Sequence, residues 1–156
     1  MLMRKSRVYV DTSVIGGCCD PEFQEWSSGL LEDFEAEIYS LLLSSLTDAE
    51  IEGAPDEVKD VYRRFRELAQ EVLDLSDEAI GLADEYLRHG IVPESFLDDA
   101  RHIAIATVAA ADILVSWNFK HIVHYEKIQR FNAVNLEMGY KLISIYSPRE
   151  VTTHVS

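Results

Sequence analysis

Short runs of β-favouring residues alternate with amphipathic helical patterns along this chain, and that alternation leaves few folds open. The first run, Val8-Tyr9-Val10, is apolar throughout, as in a strand buried on both faces of a parallel sheet. Residues 38–44, a weaker 71–75, 112–116 and 141–146 follow as strand candidates. Between them the spacing of apolar residues predicts helices over 21–37, 56–70, 77–88, 97–111 and 121–138. Their ends carry stop and start signals: Asp20-Pro21, Ser76 before Asp77, and Gly90 and Gly139 after the last turns. Thr47-Asp48-Ala49-Glu50 reads as a capping box with Thr47 as N-cap, opening a short helix that ends by Ala54-Pro55. Ile15-Gly16-Gly17 reads as loop, and the residues after Ser147-Pro148 as a polar tail. The expected architecture is α/β: a central parallel sheet of 4–5 strands between two helical layers. At 156 residues it is one domain, with its core over about 7–146.

The net charge of −14 argues against a surface that grips phosphates by basic charge alone, but it suits a protein that collects divalent cations. Cys18 and Cys19 are adjacent, too close to bridge each other easily, and no CxxC spacing exists. Two free thiols suit a reducing cytoplasm. Met1-Leu2-Met3-Arg4-Lys5 has positive charge without an apolar run behind it, so no secretory signal or membrane span is expected.

Three acids fall where one edge of such a sheet could gather them. Asp11 ends the first strand, Glu50 lies just past the second, and Asp99 opens the alanine-rich helix. Ligands of open α/β sheets lie beyond the carboxyl ends of the strands. Oxygen donors from separated segments are what Mg²⁺ or Mn²⁺ requires, and such an ion activates water against a phosphodiester. The bland alternatives are a capping glutamate at Glu50, a helix-dipole acid at Asp99 with Asp98 as a rival, and a turn residue at Asp11. Ser13 and Ser116 add hydroxyls at two strand tips.

Four segments then resemble a known family. Val-Tyr-Val-Asp-Thr-Ser-Val at 8–14, Ser-Ser-Leu-Thr-Asp-Ala-Glu at 44–50, Asp-Asp-Ala-Arg-His-Ile-Ala-Ile-Ala at 98–106 and Ala-Asp-Ile-Leu-Val-Ser-Trp-Asn-Phe at 111–119 look like the PIN domain, in the family's order. This is the nuclease fold of VapC-type toxins. The resemblance implies a three-layer α/β/α fold and Mg²⁺- or Mn²⁺-dependent cleavage of RNA. It also implies a homodimer and, for toxin members, inhibition by an antitoxin protein. By position Asp11, Glu50 and Asp99 match the family's first three acids, with Ser13 and Ser116 beside the metal. Asn118 stands where many members carry a fourth acid, which implies weaker or single-metal binding through its amide oxygen.

Residues 117–130 form a local basic zone with interleaved aromatics: Lys120, His121, His124, Lys127 and Arg130 among Trp117, Phe119 and Tyr125. With Arg101, Lys120 and His121 are the candidates for touching RNA. The expected function is therefore a cytoplasmic metal-dependent endoribonuclease of a toxin–antitoxin pair. Two rivals remain: a PIN-like RNA-binding scaffold without catalysis, favoured by Asn118 and the acidic charge, and a flavodoxin-like signalling domain. The second lacks a well-placed lysine after its fourth or fifth strand.

Overall fold

The structure, a computed structural model, describes residues 4–154. Met1–Met3 of the charged N-terminal stretch and the last two residues of the expected 1–156 domain lie outside the described residues. Strand β1 (Arg7–Val10) sits in the middle of a five-stranded sheet. It pairs on one side with β2 (Ser40–Ser44) and on the other with β4 (Ile113–Val115). Strand β3 (Glu71–Leu73) lies outside β2, and β5 (Ser144–Tyr146) outside β4. Every pairing is parallel, and the order is β3-β2-β1-β4-β5. The chain runs outward to β3, then returns to the far side of β1. The winding therefore reverses between β1 and β4, where open sheets leave a crevice at the strand ends.

Eight helices cover the sheet among the described residues: α1 (Thr12–Gly17), α2 (Gln24–Glu35), α3 (Ser45–Ile51), α4 (Asp56–Leu68), α5 (Asp77–Arg88), α6 (Leu97–Val108), α7 (Tyr125–Glu137) and α8 (Pro148–Val151). Alternation along each strand splits the core in two. Tyr9, Leu42, Leu114 and Ile145 face α5, α6 and α7, packing with Tyr86, Ile103 and Phe131. Val8, Val10, Leu41, Leu43 and Val115 face the opposite layer, with Ile15, Leu30, Phe34 and Phe65. Each such side chain contributes about 1.5–3 kcal/mol by leaving water, which is why continuous apolar runs select a doubly covered sheet.

Several elements differ from the sequence expectation. Ile15-Gly16-Gly17 is helical, the end of α1, because Val14 and Ile15 are buried and Gly17 lies where a Cβ would come within 2.4 Å of Ser27 Oγ. Helix α2 starts at Gln24; Asp20 instead organises the turn before it, its Oδ1 accepting from the Glu22 N–H. The N-cap of α3 is Ser44, whose hydroxyl accepts from the Thr47 N–H, so Glu50 is not a capping-box residue. Helix α7 begins at Tyr125, because residues 119–123 wind into turns held by Asn118. The supposed tail forms α8, closed by Glu150 accepting from the Ser147 N–H and hydroxyl. Phe34, Tyr62 and Phe65 are core.

Candidate functional site

Asp11 follows β1 directly, and Ser116 follows β4, so the two face each other across the reversal of strand order. The Asp11 side chain does not cap α1 and is 4% exposed. Ser13 donates its hydroxyl to Asp11 Oδ1 and Ser116 donates to Oδ2, each at 2.6 Å. Both serines are fixed in turn: the Trp117 N–H donates to Ser13 Oγ at 2.9 Å, and the Asn118 N–H to Ser116 Oγ at 2.9 Å. The carboxylate is thus clamped by hydroxyls from two strand tips.

Glu50 comes from the last turn of α3, its side chain 31% exposed. Its Oε1 accepts from Thr12 Oγ1 at 2.7 Å and meets His102 Nε2 at 2.6 Å. The other ring nitrogen of His102, Nδ1, lies 2.6 Å from the Tyr9 hydroxyl, which is 2.8 Å from Ser44 Oγ. His102 is 3% exposed, one helical turn beyond Asp99 on α6. Fully buried Ala100 and Ala104 allow that helix to pack closely.

Asp99 is partly buried and senses the charges of Asp11, Glu50 and His102, whereas Asp98 is exposed. Asn118 neighbours Asp99, but its amide oxygen is already occupied: Oδ1 accepts from the His121 N–H at 2.9 Å and the Lys120 N–H at 3.2 Å. Both lone pairs are taken. The expectation that this oxygen orients a metal ion is corrected accordingly; Asn118 shapes the turn and acts on Asp99 through its amide group.

The electrostatics are those of a crowded acid pocket. Burial raises the Asp11 carboxyl above its ordinary range, against the pull of the His102 charge and the two serine hydroxyls. Burial raises Asp99 as well, Asn118 opposing and the Asp11 and Glu50 charges adding. Glu50 falls below its ordinary value: burial pushes it up, but the His102 hydrogen bond and charge and the Thr12 bond outweigh that. For His102, burial works against the charged form, yet Glu50, Asp11 and Asp99 carry it above its ordinary value.

The Asp11 and Asp99 carboxylates fit a hard divalent cation chemically: oxygen donors raised by burial, and in Asp99 also by the neighbouring acids, a penalty that such an ion would relieve. Among the described residues, no three His, Cys, Asp or Glu side chains form a ligand cage. The Asp11 oxygens turn toward protein donors instead, each retaining a second lone pair, while Glu50 Oε1 is filled by Thr12 and His102 and its Oε2 is left open among the described hydrogen bonds.

Beside the pocket, Phe119 is 51% and Tyr125 78% exposed, and the Lys120 ammonium sits 5.5 Å from the Phe96 ring centroid. Arg101 Nε is buried without a hydrogen-bond partner. His121 is corrected as an RNA contact: it is 3% exposed, its ring 4.1 Å from that of Phe96. Its Nδ1 lies 3.0 Å from Lys127 Nζ, and burial and neighbouring cations lower its pKa. Sequence reasoning missed Tyr9, Thr12 and His102 in this site. The available signal was Asp99-x-x-His102, which puts carboxylate and imidazole on one helical face.

An open, wholly parallel α/β sheet with a buried aspartate at its winding reversal defines the class of protein. No family model matches the chain, and no curated protein does. Solved structures do. A chain of VapBC2 from Rickettsia felis, bound to a DNA fragment from its promoter, aligns with TM-score 0.57 and 13% identity over 90% of this chain and 98% of that one. A chain of FitAcB from Neisseria gonorrhoeae aligns with TM-score 0.60 and 16% identity, covering 92% and 99%. A chain of FitAB bound to an IR36 DNA fragment gives 0.59 and 15%, covering 95% and 99%. These findings correct the PIN-domain assignment read from the four segments. No family model supports it, and what is shared with VapBC2, FitAcB and FitAB chains at such identities is a fold. No described helix is long and apolar enough to cross a membrane.

Proposed function

We propose that this protein is one half of a two-protein toxin–antitoxin pair and that it acts in that pair as a metal-dependent endoribonuclease. The observation that supports the reading is a chain of contacts at the winding reversal: Ser13 and Ser116 hold Asp11, the adjacent Thr12 and His102 hold Glu50, and Asp99 lies one helical turn before His102 on α6. Its likeness in fold to chains of VapBC2, FitAcB and FitAB, each from a two-component assembly, supports the partner protein.

Asp11 and Asp99 would hold Mg²⁺ or Mn²⁺. Such an ion supplies an acidified water and positive charge against a phosphodiester. Ser13 and Ser116 keep the Asp11 carboxylate in one rotamer. Glu50, the acid held below its ordinary pKa, is ionised at neutral pH and able to take a proton from an attacking water. Phe119 and Lys120 stand beside the pocket as a stacking face and a phosphate contact for unpaired RNA.

Purified protein with Mn²⁺ should cut RNA, and Asp11→Asn should abolish cutting. Equal activity in the variant defeats the assignment. The occupied amide oxygen of Asn118 favours a second reading, an RNA-binding scaffold without catalysis. Calorimetry separates the two, since no heat of binding at millimolar Mn²⁺ selects the scaffold.

A further inference from the structure

Oε1 of Glu50 is gripped from two sides, by the Thr12 hydroxyl at 2.7 Å and His102 Nε2 at 2.6 Å, while Oε2 has no partner among the described hydrogen bonds. We infer that His102 is the positioning residue of this pocket: clamped between Tyr9 and Glu50, it fixes the Glu50 carboxylate so that Oε2 alone is presented to a reacting water or ion. The inference deepens the hydrolytic reading and rests on it for the reaction, but not for the clamp itself.

Donor accounting makes the clamp independent of the ring's charge. With a neutral ring, Nδ1 accepts the Tyr9 hydroxyl proton and Nε2–H donates to Glu50. With a charged ring, Nδ1–H donates to the Tyr9 oxygen, and the Tyr9 hydroxyl turns to Ser44 Oγ, 2.8 Å away. In both states Glu50 accepts from Nε2–H. The phenol stays protonated because burial drives its pKa upward.

The far end of the chain is rigid as well. Tyr9 and Ser44 are fully buried, and Ser44 is the N-cap of α3, the helix that carries Glu50. One hydroxyl thus couples the tip of β2, the start of α3 and, through Tyr9 and His102, helix α6. A glutamate free in solvent samples several rotamers; this one is tied at a single oxygen to two other elements, α1 through Thr12 and α6 through His102. Partners that orient a ligating or reacting carboxylate change metal affinity or turnover by about 10–100-fold when removed.

The test compares wild type with His102→Leu, which removes the donor, His102→Gln, which keeps an N–H donor toward Glu50, and Glu50→Gln. Imidazole proton–nitrogen NMR on the metal-free protein should show a slowly exchanging His102 Nε2 proton whose resonance moves in Glu50→Gln. With Mn²⁺ and RNA, His102→Leu should lower kcat by at least about tenfold while KM changes little, and His102→Gln should recover most of that loss. A purely structural histidine predicts instead that both variants lose activity in step with their melting temperatures. An Nε2 proton that is absent or indifferent to Glu50→Gln overturns the clamp, as does a wild-type kcat in His102→Leu. Should wild type cut no RNA, the hydrolytic reading fails and the NMR result alone decides the clamp.

Discussion

Ser116 donates its hydroxyl to Asp11 Oδ2 at 2.6 Å and so ties the tip of β4 to the tip of β1 across the point where the sheet's winding reverses. The two residues are 105 positions apart, yet the parallel register that pairs Val10 with Val115 brings the next residue of each strand together. The bond spans the crevice in which this class of sheet places its ligands. Topology alone therefore puts a buried carboxylate there, and the surrounding donors decide what that carboxylate costs.

That cost yields the first prediction. Asp11 is nearly fully buried, and its raised pKa records the penalty of keeping it ionised. Asn has the same shape, can still accept from one serine, and can donate to the other. Asp11→Asn should therefore raise the melting temperature of the metal-free protein, by roughly 2–4 °C for each ~1 kcal/mol relieved. It should also end RNA cleavage. Scanning calorimetry in chelator checks the first half, and a lower melting temperature would show that the charge is net stabilising.

The pH dependence of stability follows from the same pocket. Asp11 and Asp99 bind protons more tightly folded than unfolded, so ionising them opposes folding, increasingly as pH rises from about 3.8 through their raised folded values. His102 has a raised folded pKa, so its contribution is complete below about 6.5 and lost as pH rises through the folded value. Glu50 has a lowered pKa; its contribution is present above about 4.5 and lost as pH falls through the folded value. The metal-free protein should therefore melt highest between about pH 4.5 and 6.5 and lose stability toward alkaline pH. His102→Leu should flatten the alkaline limb. Melting curves across that range decide it; an unchanged slope in the variant removes His102 from the account.

The alternation of strands and helices was readable because each strand is short, apolar and bounded, and because Ser76 and Gly90 mark their helix as predicted. Asp11 was readable for a similar reason, an acid at the end of a buried run. The role of Glu50 was obscured by Thr47: a capping-box pattern is a local rule, whereas Ser44, set by the end of β2, took the N-cap three residues earlier. His102 escaped because nothing local distinguishes a histidine that bridges a strand tyrosine to a helix glutamate from one packed in a core. That bridge joins residues 93 and 52 positions away, which only the sheet order brings within reach. His121, by contrast, stood out in a basic stretch and proved to be buried beneath Phe96.

Gly17 supports the pocket from behind. A Cβ there would lie 2.4 Å from Ser27 Oγ and 2.7 Å from Trp117 Nε1, the pair that forms a 2.8 Å hydrogen bond. Both atoms belong to buried side chains, and the Trp117 ring is stacked on Phe23, so neither yields freely. Gly17→Ala should destabilise by about 1–3 kcal/mol, the range for overpacking a well-filled core. Because the backbone N–H of Trp117 holds Ser13, and Ser13 donates to Asp11, activity should fall with it. Gly16→Ala, with open space at its Cβ, is the control and should be neutral or slightly stabilising. Urea melts of the two variants provide the comparison.

The rim offers the last prediction. Phe119 presents half its surface to solvent while its ring stays anchored at 6.1 Å, edge-on, to Trp117, and Lys120 is the next residue. On a chain of net charge −14, long-range attraction for nucleic acid is weak, so the proposed RNA binding would have to come from local contacts of this kind. Stacking one unpaired base on an aromatic ring is worth about 1–3 kcal/mol, whereas a lysine on a phosphate contributes chiefly through counterion release. In the Asp11→Asn background without metal, Phe119→Ala should weaken single-stranded RNA binding by roughly 5- to 150-fold and leave duplex binding unchanged. Lys120→Ala should weaken both, lowering the slope of log affinity against log salt by about 0.7 for single strands. Fluorescence anisotropy at several salt concentrations measures all of these quantities. Equal losses on single and double strands for Phe119→Ala would exclude base stacking at this rim.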